Sequence, residues 1–165
     1  MAEKIALRPA LPADAPVLAA LFQASIEELA QEDYSEAQLN AWAALAEDEQ
    51  AFAQKLASAL TIVATIGGEI AGFASLKGAD CLDMLYVHPS FARRGVATQL
   101  CDAIEKLASA RRAVILTADV SDCAQSFFAA RHYAALQRNM VFLGDEVLGN
   151  TSMTKKLAPL KEQVQ

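Results

Sequence analysis

Cysteine is scarce in this chain. Cys81, Cys101 and Cys123 form an odd, scattered set with no Cys-x-x-Cys, so neither a disulfide framework nor a metal site is indicated and reduced thiols are expected. Long apolar runs are missing as well. No stretch of 18 apolar residues occurs, and the opening Met-Ala-Glu-Lys lacks the basic, apolar, small-residue order of a signal peptide. A soluble, cytoplasmic protein with no membrane partner is therefore expected. Positive charge is absent from most of the first third: between Arg8 and Lys55 there is no Lys or Arg, while nine Asp and Glu residues give that segment a charge of −9. With a formal net charge of −6 overall, the rest of the chain stands at +3, and Arg93, Arg94, Lys106, Arg111 and Arg112 are grouped within it. This segregation favours an anionic ligand on the second half and a cationic one on the first, and disfavours nucleic acid. The competing reading of the acidic residues is that they solvate exposed helix faces.

What is present fits one globular unit, residues 1–165. The length supports one sizeable core, and 54% hydrophobic with 21% charged residues excludes a largely disordered chain. The pattern predicts a strand at Ile5 to Arg8, ended by Pro9, then two or three helices through Asp14 to Gln31 and Glu36 to Ala59, with Ser35 as a helix cap. Strands follow at Thr61 to Ile66 and Ile70 to Leu76, joined by the Gly67-Gly68 turn signal. After Gly78-Ala79-Asp80 a further strand covers Leu82 to Val87, and a helix runs from Val96 to about Ala110. Ala113 to Ala118 reads as a strand, Ala124 to Arg131 as a short helix capped by Asp122, and Leu136 to Leu143 and Val147 to Lys156 as two last strands.

The junction between the Leu82 to Val87 strand and the next helix carries the chemistry. Pro89 stops the strand, and Ala92-Arg93-Arg94-Gly95 forms a basic turn. Gly95 removes the side chain there, so the first amides of the helix and the positive end of its dipole can meet an anion such as a pyrophosphate. A solvated basic connection is the plainer alternative.

The segment Leu85-Tyr86-Val87-His88-Pro89 followed by Ala92-Arg93-Arg94-Gly95-Val96-Ala97 resembles the pyrophosphate-binding motif of the GNAT N-acetyltransferase superfamily, Leu-x-Val-x-Pro and then Arg/Gln-x-x-Gly-x-Gly/Ala. Ala92 departs from it, standing where Arg or Gln is usual. The order of elements resembles the same fold over nearly the whole chain, strongest from Ile62 to Tyr133. The resemblance implies an α+β fold: a central, largely antiparallel, splayed mixed sheet flanked by helices. It implies acetyl-CoA as cosubstrate, with the backbone of Leu85, Tyr86 and Val87 along the pantetheine and Arg93, Arg94, Gly95, Val96, Ala97 and Thr98 around the pyrophosphate. It also leaves open a homodimer, since late strands in this family often pair between subunits.

Acyl transfer to an alkylammonium of pKa near ~10 needs a proton acceptor, a clamp on the nitrogen and a route for the leaving thiolate. Asp83 and His88 are the candidate bases on the motif strand, and by period-two alternation Asp83 lies on the opposite face from Met84 and Tyr86. The family's usual acid is a tyrosine on the short helix, but Phe128 stands there, counted instead with the residues around the cofactor, and His132 replaces a glycine. Tyr133 is the nearest hydroxyl, as a catalytic candidate or as a core aromatic. Glu27 and Glu28 are expected to attract a small cationic amine, with Tyr34 and Trp42 walling its pocket. The alternative function is a non-catalytic acyl-CoA-binding or sensor domain of the same fold. A generic nucleotide-binding domain is disfavoured, because no glycine-rich phosphate loop follows the first strand.

Overall fold

The computed structural model describes residues 4–158. Its elements run β1 (Ile5–Pro9), α1 (Ala15–Leu29), α2 (Glu36–Ala43), α3 (Glu49–Ala57), β2 (Leu60–Ile66), β3 (Glu69–Lys77), β4 (Cys81–Val87), α4 (Val96–Ala110), β5 (Ile115–Ser121), α5 (Gln125–Ala130), β6 (Ala134–Leu143) and β7 (Glu146–Lys156). Among the described residues the strands form a seven-stranded sheet in the order β1-β2-β3-β4-β5-β7-β6. Neighbours are antiparallel except β4 and β5. This is the mixed α+β sheet expected, with helices on both faces.

Each face owns a core. On one side α4 presses Leu100, Ile104 and Ala108 onto Ile62, Ala64, Leu76, Leu116 and Ala118. On the other, α1 to α3 cover Val63, Phe73 and Met84 with Leu18, Phe22, Ile26 and Phe52. Consecutive residues of β2 thus enter opposite cores, which is why its sequence is apolar without alternation. Ser35 caps α2, accepting from the Gln38 N–H at 3.1 Å while the Gln38 side chain returns a bond to the Ser35 N–H at 2.8 Å. Asp48 caps α3 in the same manner, accepting from Ala51 N–H at 3.0 Å, so the Glu36 to Ala59 run divides into two helices.

Two expectations shift. The strand read at Ala113 to Ala118 starts at Ile115 and continues to Ser121, because α4 ends in a turn whose Arg112 takes φ +69° and consumes the residues before it. Asp122 does not cap α5, whose cap position is Ala124; its carboxylate pairs with Arg138 instead. No helix among the described residues is long and apolar enough to cross a membrane.

One close approach positions α4 for everything that follows. A Cβ built on Gly72 of β3 would lie 2.9 Å from the Tyr86 carbonyl oxygen and 2.9 Å from Val96 Cγ1, so only glycine lets the first turn of α4 rest on the sheet. Gly72→Ala is expected to cost about 1–3 kcal/mol through overpacking against a backbone atom that cannot yield. A lowered urea midpoint with unchanged slope checks it.

Candidate active site

Between β4 and β5 the sheet opens. Their pairing comprises Cys81 with Thr117 and Leu82 with Ala118, while β5 stays paired to β7 through Ser121. Past Leu82, therefore, β4 runs to Val87 with β3 on one side and a cleft on the other. The His88 N–H donates to the Ala71 carbonyl at 2.8 Å, so by antiparallel alternation Tyr86 bonds toward β3 and the backbone groups of Leu85 and Val87 face the cleft. The cavity there is about 420 Å³ and passes through the sheet. Toward the α4 face it meets Ala97, Ala124, Phe127 and Phe128; toward the α1 face it meets Ile26, Leu29, Tyr34, Trp42 and residues of β6 and β7.

At the α4 mouth lies the basic turn. Arg93 has φ +62° and Gly95 φ +85°, and two left-handed residues so close together curl the chain into a concave loop of amides. Gly95 is the N-cap of α4, so no side chain caps the helix and its first-turn N–H groups face outward. Arg93, Arg94 and Thr98 are exposed, the Arg94 guanidinium lies 5.4 Å from the Phe91 ring centre, Ala97 lines the cleft, and Val96 is buried against Gly72. The arrangement can hold a polyanion with backbone donors, a helix dipole and two exposed cations.

Asp83 sits at a β-bulge. Ser75 opposes Met84 and Leu76 opposes Leu82, leaving Asp83 as the extra residue. The expected strict alternation is broken there, and Asp83, Met84 and Tyr86 line the cleft together rather than as exclusive sets. Among the described residues no side-chain hydrogen bond or ion pair engages the Asp83 carboxylate. Tyr86 is held in an aromatic stack with Phe22 at 4.6 Å and Phe73 at 5.7 Å, and burial pushes its phenol well above the usual range, leaving it neutral.

The remaining candidates separate. His88 is outside the cleft lining, and its Nδ1 accepts from the Ser90 N–H at 3.1 Å. Tyr133 is 4% exposed beneath α4, its hydroxyl donating to Glu105 at 2.8 Å, so its catalytic candidacy gives way to the core role. Phe128 lines the cleft, packed edge-on against Tyr133 at 4.9 Å. Tyr34 and Trp42 do wall the cleft, with ring centres 5.6 Å apart. The Tyr34 hydroxyl donates to the Gly149 carbonyl at 2.7 Å and accepts from the Asp122 N–H at 3.0 Å, tying the α1–α2 connection to the far wall. Glu27 lines a second depression of about 440 Å³ beside Glu36 and Asn40, which shares Tyr34 with the cleft, and Glu28 is exposed and lines neither. The expected role of these two carboxylates in the amine pocket is corrected: they sit on the outer surface of α1. Cys123 also lines the cleft, its Sγ 3.0 Å from Ser121 Oγ.

Asp119 was missed by sequence reasoning. It lines the cleft from β5, its carboxylate accepting from Ser152 Oγ at 2.6 Å. A strand ended at Ala118 leaves it in a loop; the alternation of Leu116, Ala118 and Val120 was the signal that the strand continues.

A mixed sheet split at its one parallel pair, with a glycine-capped helix at the mouth, defines the class of GNAT-type acyltransferases. Residues 30–157 match the family described as acetyltransferase (GNAT) domain, and the chain belongs to that family. It is 34% identical over 137 residues to the "uncharacterized N-acetyltransferase YafP" of Escherichia coli K12, covering 83% of this chain and 86% of that one. Among solved structures it is similar to a GCN5-related N-acetyltransferase of Rhodopseudomonas palustris, with 57% identity, a TM-score of 0.93, and 95% and 98% of the two chains covered. The PaiA N-acetyltransferase of Thermoplasma acidophilum, solved in complex with coenzyme A, shares the fold at 18% identity and a TM-score of 0.78, over 93% and 99% of the chains.

Behind the site, Glu105 of α4 accepts from Lys155 at 2.8 Å, Tyr133 at 2.8 Å and Arg131 at 3.1 Å. Burial pushes this carboxyl up, but the three donors outweigh it and hold it below the usual carboxylate range. Its folded value is thus depressed, so the stabilisation is full above the unfolded value of about 4.3 and is lost as pH falls through the folded one. The gap in urea midpoint between wild type and Glu105→Gln should be widest near neutrality and close under acid. Tyr133→Phe should lose about 1 kcal/mol of stability, one buried hydrogen bond, and retain turnover, read by urea titration beside a CoA-release assay.

Proposed function

We propose that this chain is one catalytic domain that transfers the acetyl group of acetyl-CoA directly to a primary amine, with both reactants bound at once. The observation that carries the reading is the loss of β4–β5 pairing beyond Leu82, which leaves a strand edge facing a through-going cleft that ends at a helix whose N-cap, Gly95, has no side chain to occupy its first amides. Acetyl-CoA enters from the α4 mouth. The amides of Gly95 to Thr98, helped by Arg93 and Arg94, hold its pyrophosphate, the Leu85 and Val87 backbone extends along the pantetheine, and Phe128 packs beside it. The acceptor enters from the α1 mouth.

Asp83, directly or through a water, takes the ammonium proton, and the freed lone pair attacks the thioester carbon. A backbone amide of β4 stabilises the oxyanion as the C–N bond forms. The intermediate collapses by breaking the C–S bond: the CoA sulfur leaves as thiolate, since Phe128 has no proton to offer, and the second proton of the now cationic nitrogen passes to water, leaving the neutral amide. Phe128 is also what favours the second reading, a domain that binds acyl-CoA without catalysis; amine-dependent release of CoA separates the two.

Calorimetry with acetyl-CoA tests the cofactor assignment. Wild type is expected to bind and Gly95→Asp to lose at least about tenfold in affinity, because a carboxylate in an anion-binding turn repels the ligand and φ +85° disfavours a side chain. Equal binding by both refutes the placement of the pyrophosphate.

A further inference from the structure

The acceptor end of the cleft does not match the acidic segment that borders it. The carboxylates of α1 are exposed and outside the cleft lining, whose charged residues are Asp83 and Asp119, with no Lys or Arg among the described lining residues. Ser25, Ser121 and Asn150 add uncharged polar groups, the Asn150 Oδ1 already accepting from Asn139 at 2.9 Å, and the rest of this end is apolar: Leu29, Leu45, Val141 and Leu143 stand toward solvent above buried Ile26 and Leu148, with Tyr34 and Trp42 as the aromatic wall. Leu29 and Leu45 are 44% and 50% exposed, so these leucines remain wetted at the rim instead of completing the core beneath it.

Resting on the function proposed above, we infer that the acceptor is a monoamine carried on an apolar body, aryl or branched alkyl, with no second charge. Its ammonium meets Asp83 deep in the cleft, opposite Asp119, and its body displaces water from the leucine rim. A diamine would carry its second ammonium into that rim, where nothing pairs with it. An amino acid would bring a carboxylate beside two aspartates, with no cation to receive it. The reaction is unchanged: the amine nitrogen gains the acetyl carbon, the C–S bond breaks with its electron pair on the CoA sulfur, one proton passes from the ammonium to the carboxylate before attack, and a second passes to water as the amide forms.

The test measures CoA thiol release at saturating acetyl-CoA for 2-phenylethylamine, 1,4-diaminobutane and L-phenylalanine, on wild type and Leu45→Glu. For wild type, kcat/KM for 2-phenylethylamine is expected to exceed each of the others by about tenfold or more. In Leu45→Glu, an exposed substitution at the rim, the ratio of diaminobutane to phenylethylamine should rise by about tenfold. A preference for the diamine or the amino acid, an unmoved ratio in Leu45→Glu, or no turnover of any amine by protein that binds acetyl-CoA overturns the inference. Failure to bind acetyl-CoA at all is a different result: it removes the function proposed above, and this inference with it.

Discussion

The structure depends on one interrupted ladder. A strand in the middle of a sheet normally satisfies its backbone on both sides, because an unpaired buried peptide group is costly. Here β4 keeps both neighbours only to Leu82. Antiparallel pairing to β7 continues to hold β5 on its own course, so the two parallel strands part and cannot close again. The unsatisfied edge of β4 then stands ready for a ligand that can supply hydrogen bonds of its own, and the split gives that ligand passage between the two cores.

Everything else keeps the opening in shape. Gly72 seats α4 on β3, which places the Gly95 turn at one mouth. The Glu105 cluster fastens α4 to the α5–β6 junction and to β7 with charge-assisted bonds, so the helix that follows the basic turn is anchored to the outer half of the sheet. Tyr34 performs a similar task at the other mouth, bridging from the α1–α2 connection to Gly149 and Asp122. The Glu105 cluster and Tyr34 thus tie the helical layers on the two faces to the outer strands without using the β4–β5 ladder.

Placement of charge changes the functional picture more than its amount. The −9 segment looks like an attractor for a cationic substrate when read as a string. Once α1 buries Leu18, Phe22 and Ile26 against the sheet, Glu27 and Glu28 fall on its outer surface, away from the cleft. Amphipathic packing decided this, since the apolar face of a helix takes the core and its carboxylates take solvent. The charged groups that do line the cleft are two aspartates from strands, and beside them stand leucines that the sequence offers no reason to single out.

By itself the sequence determined the order of elements, the sheet class, the basic turn ending in Gly95 and the family, because these rest on local signals: periodicity, caps, glycine in a turn and a contiguous motif. The strand carrying Asp119 was legible in its alternation but was cut short, as the helix before it ended in a left-handed arginine that has no local marker. Only tertiary structure decided that Asp83 shares a wall with Tyr86, that Tyr133 serves Glu105, and that Tyr34 belongs to the cleft. A bulge, a buried ion cluster and a bridge across 115 residues are set by partners distant in the chain, and no window of neighbouring residues contains both ends of such a contact.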